Sequence, residues 1–469
     1  MIRGRTETVL LVWLVATVVT VALTPAVAAA TAPDTPVLDT STTPSTTASL
    51  SSSLGSPAET PQTAVHVARE GDTLRYTVTV ETAGADALWL YVDPDVTVVE
   101  TDGVQALDGH RVPTYRATGE TTRIVVEREL PRAPRTTTGA EYLATDDWAL
   151  GPVPYLRVTW QTDGHTETTA PFEDGRITTE DPAAVGEKFL LYGDHEIYSR
   201  TANGQTFHLV APAGTGLDAP AVLDTYASVS ARLAVGDRDT AVRVFALPPP
   251  ARGGGEAFIR SDEAWVNAGS PMDSANNVWI HEYVHTRQEF RLTGEMAWFT
   301  EASAEYYAAR LAYEEGHISQ AEYEAYVSRP GFEGAALGDR DTWASQRVPY
   351  VAGVRTLAEL DERIRDSSGG ERSLDDVFRM MNEHEGEVSY EEFTTFVARA
   401  AGEDHSAWLD ERVQAGDGSN TPFPFDGPVD SPARALSDAI YAGRGVLPGV
   451  LALAGLAAGP LLFGYRRRE

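Results

Sequence analysis

The run HEYVH at positions 281–285 concentrates more chemistry than any other stretch of the chain. At 3.6 residues per helical turn, His281 and His285 share one face, and two neutral imidazoles so placed chelate a divalent metal. Glu282 follows the first histidine, beside that face, where its carboxylate reaches a water held by the metal without ligating the metal. A general base needs that placement. After a break at Thr293-Gly294, Trp298 to Tyr307 (WFTEASAEYY) reads as a second helix that sets Glu301 and Glu305 on a common face. Acids at this spacing are common on solvated helices. A helical hairpin of this size, however, folds Glu301 back onto His281 and His285, giving a His, His, Glu set with a fourth position open for water. One turn on, Glu305 is placed to accept the free ring N–H of a ligand histidine and fix its tautomer.

These segments resemble the gluzincin zinc metallopeptidases, and are most similar to the aminopeptidase-N-like and glycyl-aminopeptidase-like branches. HEYVH matches their HExxH. WFTEASAEYY is similar to their W-x-x-E-G-x-A-x-Y segment, whose first acid, the third zinc ligand, falls on Glu301. The 15-residue gap between His285 and Glu301 is slightly short for the aminopeptidase-N-like families, Ala302 replaces the glycine, and Ser303 stands where an aromatic is favoured; none of these departures touches a ligand. VPYVAGV (348–354) resembles a V-P-Y-x-K-G segment whose tyrosine donates to the developing oxyanion, so the resemblance gives that role to Tyr350, although Ala352 replaces the lysine. RGGGEA (252–257) is comparable with the G-x-M-E-N strand that captures a substrate amine; the methionine and asparagine are missing, and Glu256 inherits a substrate-binding role.

The resemblance implies one zinc ion per chain, a peptide or protein substrate, and hydrolysis in which Glu282 draws a proton from the water at zinc. Aminopeptidase and endopeptidase modes both stay open. The alternative is a non-catalytic cell-surface binding or adhesion protein that retains the gluzincin fold, in which a carboxylate beside two histidines would have no evident use.

The elements that must position these residues make a multidomain chain. Residues 64–179 alternate with period two (Leu74-Tyr76-Val78-Val80, Leu88-Leu90-Val92, Ile124-Val126, Leu156-Val158-Trp160) between turn-rich breaks, which predicts an N-terminal β-sandwich. An α+β catalytic domain of the gluzincin, thermolysin-like type is expected over 185–320, with strands at 188–192, 206–210, 242–245 and 257–266 and a helix over 219–233. In the resembled families, a sheet edge ahead of the HExxH helix pairs an extended substrate. Residues 321–414 read as a helical C-terminal part of the same region.

Composition speaks to the setting. The chain carries 69 acidic against 37 basic residues, net −32, and Lys188 is its single lysine. An acidic, lysine-poor surface stays hydrated where salt screens its self-repulsion, so the expectation is a highly saline habitat and a haloarchaeal source. The same charge argues against nucleic acid as a partner. With no cysteine, disulfides and Cys-ligated zinc are excluded. Residues 1–30 read as a secretory signal and 31–63 as a Ser/Thr/Pro-rich linker. A further linker spans 415–444. The uncharged stretch 445–465 then has the length of a transmembrane helix, followed by a basic cytoplasmic tail at 466–469. The expected product is exported and membrane-anchored at the cell surface, with its catalytic domain outside.

Overall fold

Period-two burial builds the N-terminal half. The computed structural model describes residues 60–134, 141–170, 176–258 and 260–416. One five-stranded sheet runs in the order Arg176–Thr179, Gln62–Glu70, Thr73–Glu81, Thr121–Glu129, Thr97–Asp102; a second runs His165–Thr169, Leu156–Thr162, Ala87–Val92, Thr114–Ala117, Val104–Leu107. Leu74, Tyr76, Val78, Val80, Leu90, Ile124, Val126 and Val158 are fully buried in one core shared by both sheets. Each such aliphatic side chain contributes about 1.5–3 kcal/mol relative to exposure. The expected signal peptide, nearly all of the first linker, the second linker from residue 417 on, the transmembrane segment and the basic tail lie outside the described residues. Among the described residues no helix is long and apolar enough to cross a membrane.

A third sheet joins the sandwich to the C-terminal half of the protein. Its order is Ala183–Val185, Phe189–Tyr192, Ala149–Pro152, Leu143–Ala144, so strands from both sides of the 179–185 division build one layer. Leu190 and Tyr192 pack into the sandwich core, whereas Phe189 and Leu191 pack against Val210, Phe245 and Trp265 of the next sheet. A strand covered on both faces has no polar alternation, which is why Phe189–Tyr192 is buried at every position.

The fourth sheet carries the site, in the order His195–Ala202, Gln205–Pro212, Ala241–Leu247, Glu263–Asn267, Gly255–Ala257. Its three middle strands are parallel, and helix α1 (Ala219–Arg232) crosses between the first two of them. Two expectations change here. Between the expected strands at 188–192 and 206–210 lies a further one: Asn203 and Gly204, both at positive φ, close a hairpin whose outer strand, His195–Ala202, is mostly exposed and has no apolar alternation to announce it. Nor is 257–266 one strand. The chain reverses at 258–262, with Arg260 at φ 61°, so Gly255–Ala257 runs antiparallel to Glu263–Asn267 and ends the sheet.

Helices fill the remainder: α2 (Val278–His285), α3 (Trp298–Glu314), α4 (Gln320–Val327), α5 (Val354–Ser367), α6 (Leu374–Asn382) and α7 (Tyr390–Ala401). Ser319/Glu322, Ser373/Asp376 and Ser389/Glu392 form reciprocal capping boxes that start α4, α6 and α7. Between α2 and α3 the chain forms a two-residue strand, Arg291–Leu292, parallel to Glu387–Val388, and a tight turn at Gly294–Met296, at the expected break.

Candidate active site

Helix α2 is short and begins on a buried cap. Asn277, with no exposed surface, accepts from the Ile280 amide at 3.2 Å and donates to the Met272 carbonyl at 2.8 Å. The cap fixes where the first turn starts, and thus where His281 points. Helix α3 packs against α2 and returns Glu301 to it. The Nε2 atoms of His281 and His285 lie 3.1 Å apart, and Glu301 Oε2 is 3.5 Å from each. A tetrahedral ion with arms of about 2.0–2.1 Å would set its ligand atoms about 3.3 Å apart. Among the described residues this is the one group of acids and histidines with metal-ligand geometry.

The outer hydrogen bonds decide which ring nitrogens carry protons. His281 Nδ1 is 2.9 Å from Glu305 Oε2, a carboxylate that only accepts, so Nδ1 donates. Gln288 spends its amide N–H groups on the Thr300 carbonyl (2.8 Å) and Ser303 Oγ (3.0 Å), which turns its oxygen to His285 Nδ1 at 2.9 Å. Both imidazoles therefore aim Nε2 lone pairs at one point, joined there by a carboxylate oxygen. Three converging lone pairs repel unless a cation sits between them, and the donor set fits zinc. Glu305→Gln and Gln288→Leu are each expected to weaken zinc binding by about 10–100-fold, measured by chelator competition.

Tyr350 reaches the same point from an irregular turn. Pro349–Gly353 forms one widened π turn ahead of α5, and Tyr350 lies with its ring parallel to His281, centroids 6.0 Å apart, its hydroxyl donating to Glu301 Oε2 at 2.5 Å. Gly353 lets that turn close on α3: a Cβ there would stand 2.6 Å from the Ala302 Cβ. Ala302 thus packs without a clash because a glycine stands across the contact.

A cleft of about 550 Å³ opens over these groups, lined also by Arg252, Glu256, Ala257, Phe258 and Asn276. Glu282 is buried and faces it, with Oε2 lacking a hydrogen-bond partner among the described residues. The terminal strand Gly255–Ala257 presses directly on Glu282; a Cβ on Gly255 would lie 2.7 Å from the Trp265 carbonyl oxygen and 2.9 Å from Glu282 Oε1. Gly255→Ala is expected to displace that carboxylate and cut kcat by about 10²-fold, with zinc content unchanged. Glu256, next on the strand, also lines the cleft. Arg252 Nη2 is 3.8 Å from it, while the Arg252 guanidinium stacks 4.7 Å over Trp265 and contacts the fully buried Glu141 at 3.4 Å.

The electrostatics match the geometry. Burial opposes a charged imidazole, yet hydrogen bonds to Glu301, and for His281 also to Glu305, outweigh it and hold both histidines above their ordinary value. Burial likewise opposes the Glu301 and Glu305 carboxylates, but the two histidines draw Glu301 well down, and His281, with Arg329 and Tyr326, lowers Glu305. Burial raises Glu282, partly offset by the two histidines, and together with the Glu301 charge pushes the Tyr350 phenol far up. The donor set is one that attracts positive charge.

A solved structure shares this architecture. An aminopeptidase N family protein from Idiomarina loihiensis superposes with a TM-score of 0.57 at 11% identity, covering 76% of each chain. The likeness is one of fold. An M1 zinc metallopeptidase from Deinococcus radiodurans bound to a Tyr-Ser-Ala substrate is more distant, with a TM-score of 0.47 at 16% identity over 79% of this chain and 95% of that one. No protein-family model matches the chain. No curated protein matches it either.

The structure brings all the sequence-derived candidates, His281, Glu282, His285, Glu301, Glu305, Tyr350 and Glu256, to one cleft. Sequence reasoning missed Gln288, Tyr326 and Arg329. Gln288 was open to discovery, since it follows His285 by one turn. Tyr326 and Arg329 arrive from α4 and the loop after it, and no spacing relates them to the motif.

Proposed function

We propose that the chain is a zinc-dependent metallopeptidase with His281, His285 and Glu301 as the metal ligands. The observation that carries this reading is the convergence of two Nε2 lone pairs and one carboxylate oxygen within 3.1–3.5 Å, beside a buried, unpartnered Glu282 oxygen. Zinc, when bound, supplies a Lewis acid that polarises a carbonyl and acidifies water. The chain's own groups do the rest. Glu282 accepts the proton of the attacking water and passes it to the leaving amine. The Tyr350 hydroxyl, already turned towards the metal ligands, donates to the oxyanion that develops on the scissile carbonyl. The terminal strand Gly255–Ala257 offers backbone groups to an extended peptide, and Glu256 on it offers a carboxylate to a free amine.

Metal analysis of the purified chain is expected to give one zinc per chain, with hydrolysis of peptides in high salt that a chelator abolishes. Comparing unblocked with N-blocked peptides sorts aminopeptidase from endopeptidase. Bound zinc with no cleavage of any peptide would favour a binding module instead.

The setting proposed is the outer face of a cell, supported by residues 1–30 and by the apolar 445–465 stretch with three arginines after it. A net charge of −32 supports life in salt. The thermal midpoint is expected to rise as NaCl goes from about 0.1 M to 1 M, as the screening length falls from about 10 to 3 Å. A flat midpoint would remove the saline reading.

A further inference from the structure

Arg329 is almost without exposed surface, at 2%. A guanidinium that deep must be paired and hydrogen-bonded, because isolated charge is too costly to bury. Its contacts converge on the metal site from behind. Nη1 donates to the Tyr326 carbonyl at 2.6 Å, and the guanidinium carbon stands 3.6 Å over the Tyr326 ring. Nη2 donates to the Tyr350 carbonyl and lies 3.7 Å from Glu305 Oε1, the same oxygen that accepts the Tyr326 hydroxyl. The other Glu305 oxygen holds His281 Nδ1, and the Tyr350 side chain donates to Glu301. One cation thus grips both the carboxylate that orients a ligand histidine and the backbone of the widened turn that carries Tyr350. A π turn leaves its carbonyls poorly matched to the regular helical ladder, so an outside donor on the Tyr350 carbonyl holds the turn in register.

We infer that Arg329 is a positioning residue that sets the Tyr350 hydroxyl against the His281, His285 and Glu301 donors, acting through the Tyr350 carbonyl and Glu305. The kinetic part of this inference rests on the metallopeptidase reading; the structural part does not. Were the guanidinium a mere filler of the core, its removal would lower stability and leave the hydroxyl in place. As a positioner, its removal should act on the same catalytic step as removal of the hydroxyl.

The test is a double-mutant cycle in the full chain: wild type, Arg329→Met, Tyr350→Phe and the pair, with Arg329→Lys run in parallel as a variant that keeps a buried cation. Each protein is loaded with zinc for kinetics and with cobalt(II) for absorption spectra. Each single variant is expected to lose about 10-fold or more in kcat with KM little changed, and the pair to lose no more than about twofold beyond the poorer single. Arg329→Lys should recover part of the loss, and the cobalt band should shift in each single variant without a further shift in the pair. Losses that multiply, or a lower thermal midpoint in Arg329→Met with kcat intact, would overturn the positioning role. If Arg329→Met does not fold, Arg329→Lys carries the same cycle. If the zinc-loaded wild type cleaves no peptide, the peptidase reading fails by itself; the cobalt cycle then decides on Arg329, and additive shifts would overturn it.

Discussion

Glu282→Gln should lower kcat by about 10²–10⁴-fold while the protein keeps its full complement of zinc. Glutamine fills the same volume and reaches the same place on α2, but it cannot take a proton. None of the three metal donors is touched, since the Glu282 carboxylate faces the cleft and leaves the ligand triangle intact. Single-turnover kinetics on zinc-quantified protein would check this, and retention of wild-type kcat would remove Glu282 from its role. The pH profile carries a second signature. Burial, with the charges of Glu301 and Glu256, lifts Glu282 above its ordinary 4.5 despite the two histidines. A base works only in its deprotonated form, so the acid limb of kcat/KM should lie above that value, with activity falling as pH drops through it. In Glu282→Gln that limb should vanish from the residual rate.

The second large effect is expected from Glu301→Ala. Here the loss is of the metal itself, by more than the roughly 10–100-fold that outer hydrogen-bonding partners command. Two histidines remain, but the lone pairs that Glu305 and Gln288 aim at the site would lose the anion that makes it a three-donor set. Tyr350 would lose the acceptor of its 2.5 Å hydrogen bond at the same time. Chelator competition should show the weakened site and, at saturating zinc, part of the activity should return. Unchanged affinity would mean that Glu301 is no ligand.

Legibility in the sequence depends on how local each signal is. HEYVH and Glu301 are written in two successive helices, so periodicity pairs His281 with His285 and Glu301 with Glu305, and a hairpin between the helices is enough to bring the three donors together. Sandwich strands such as Thr73–Glu81 and Ala87–Val92 were legible for a similar reason, since each has one wet and one dry face. Three features were not. Phe189–Tyr192 is buried on both sides and has no alternation, so its place in a shared layer left no pattern. The hairpin strand His195–Ala202 is too exposed to show one. Arg329 reads as an ordinary basic residue before a proline, and only the return of α4 across the back of α3 turns it into a contact of Glu305. Local pattern specifies elements; partners from distant elements appear only when the chain is folded.

The layer formed by Ala183–Val185, Phe189–Tyr192, Ala149–Pro152 and Leu143–Ala144 has a corollary for inheritance. Its strands belong to both halves of the polypeptide, and its two faces are wet by neither. An ancestor that gave up the sandwich would have bared Leu190 and Tyr192 to water, and one that gave up the C-terminal half would have bared Phe189 and Leu191. The halves are bound to travel through evolution as a pair, and recombination that reshuffles them has to cut somewhere other than between them.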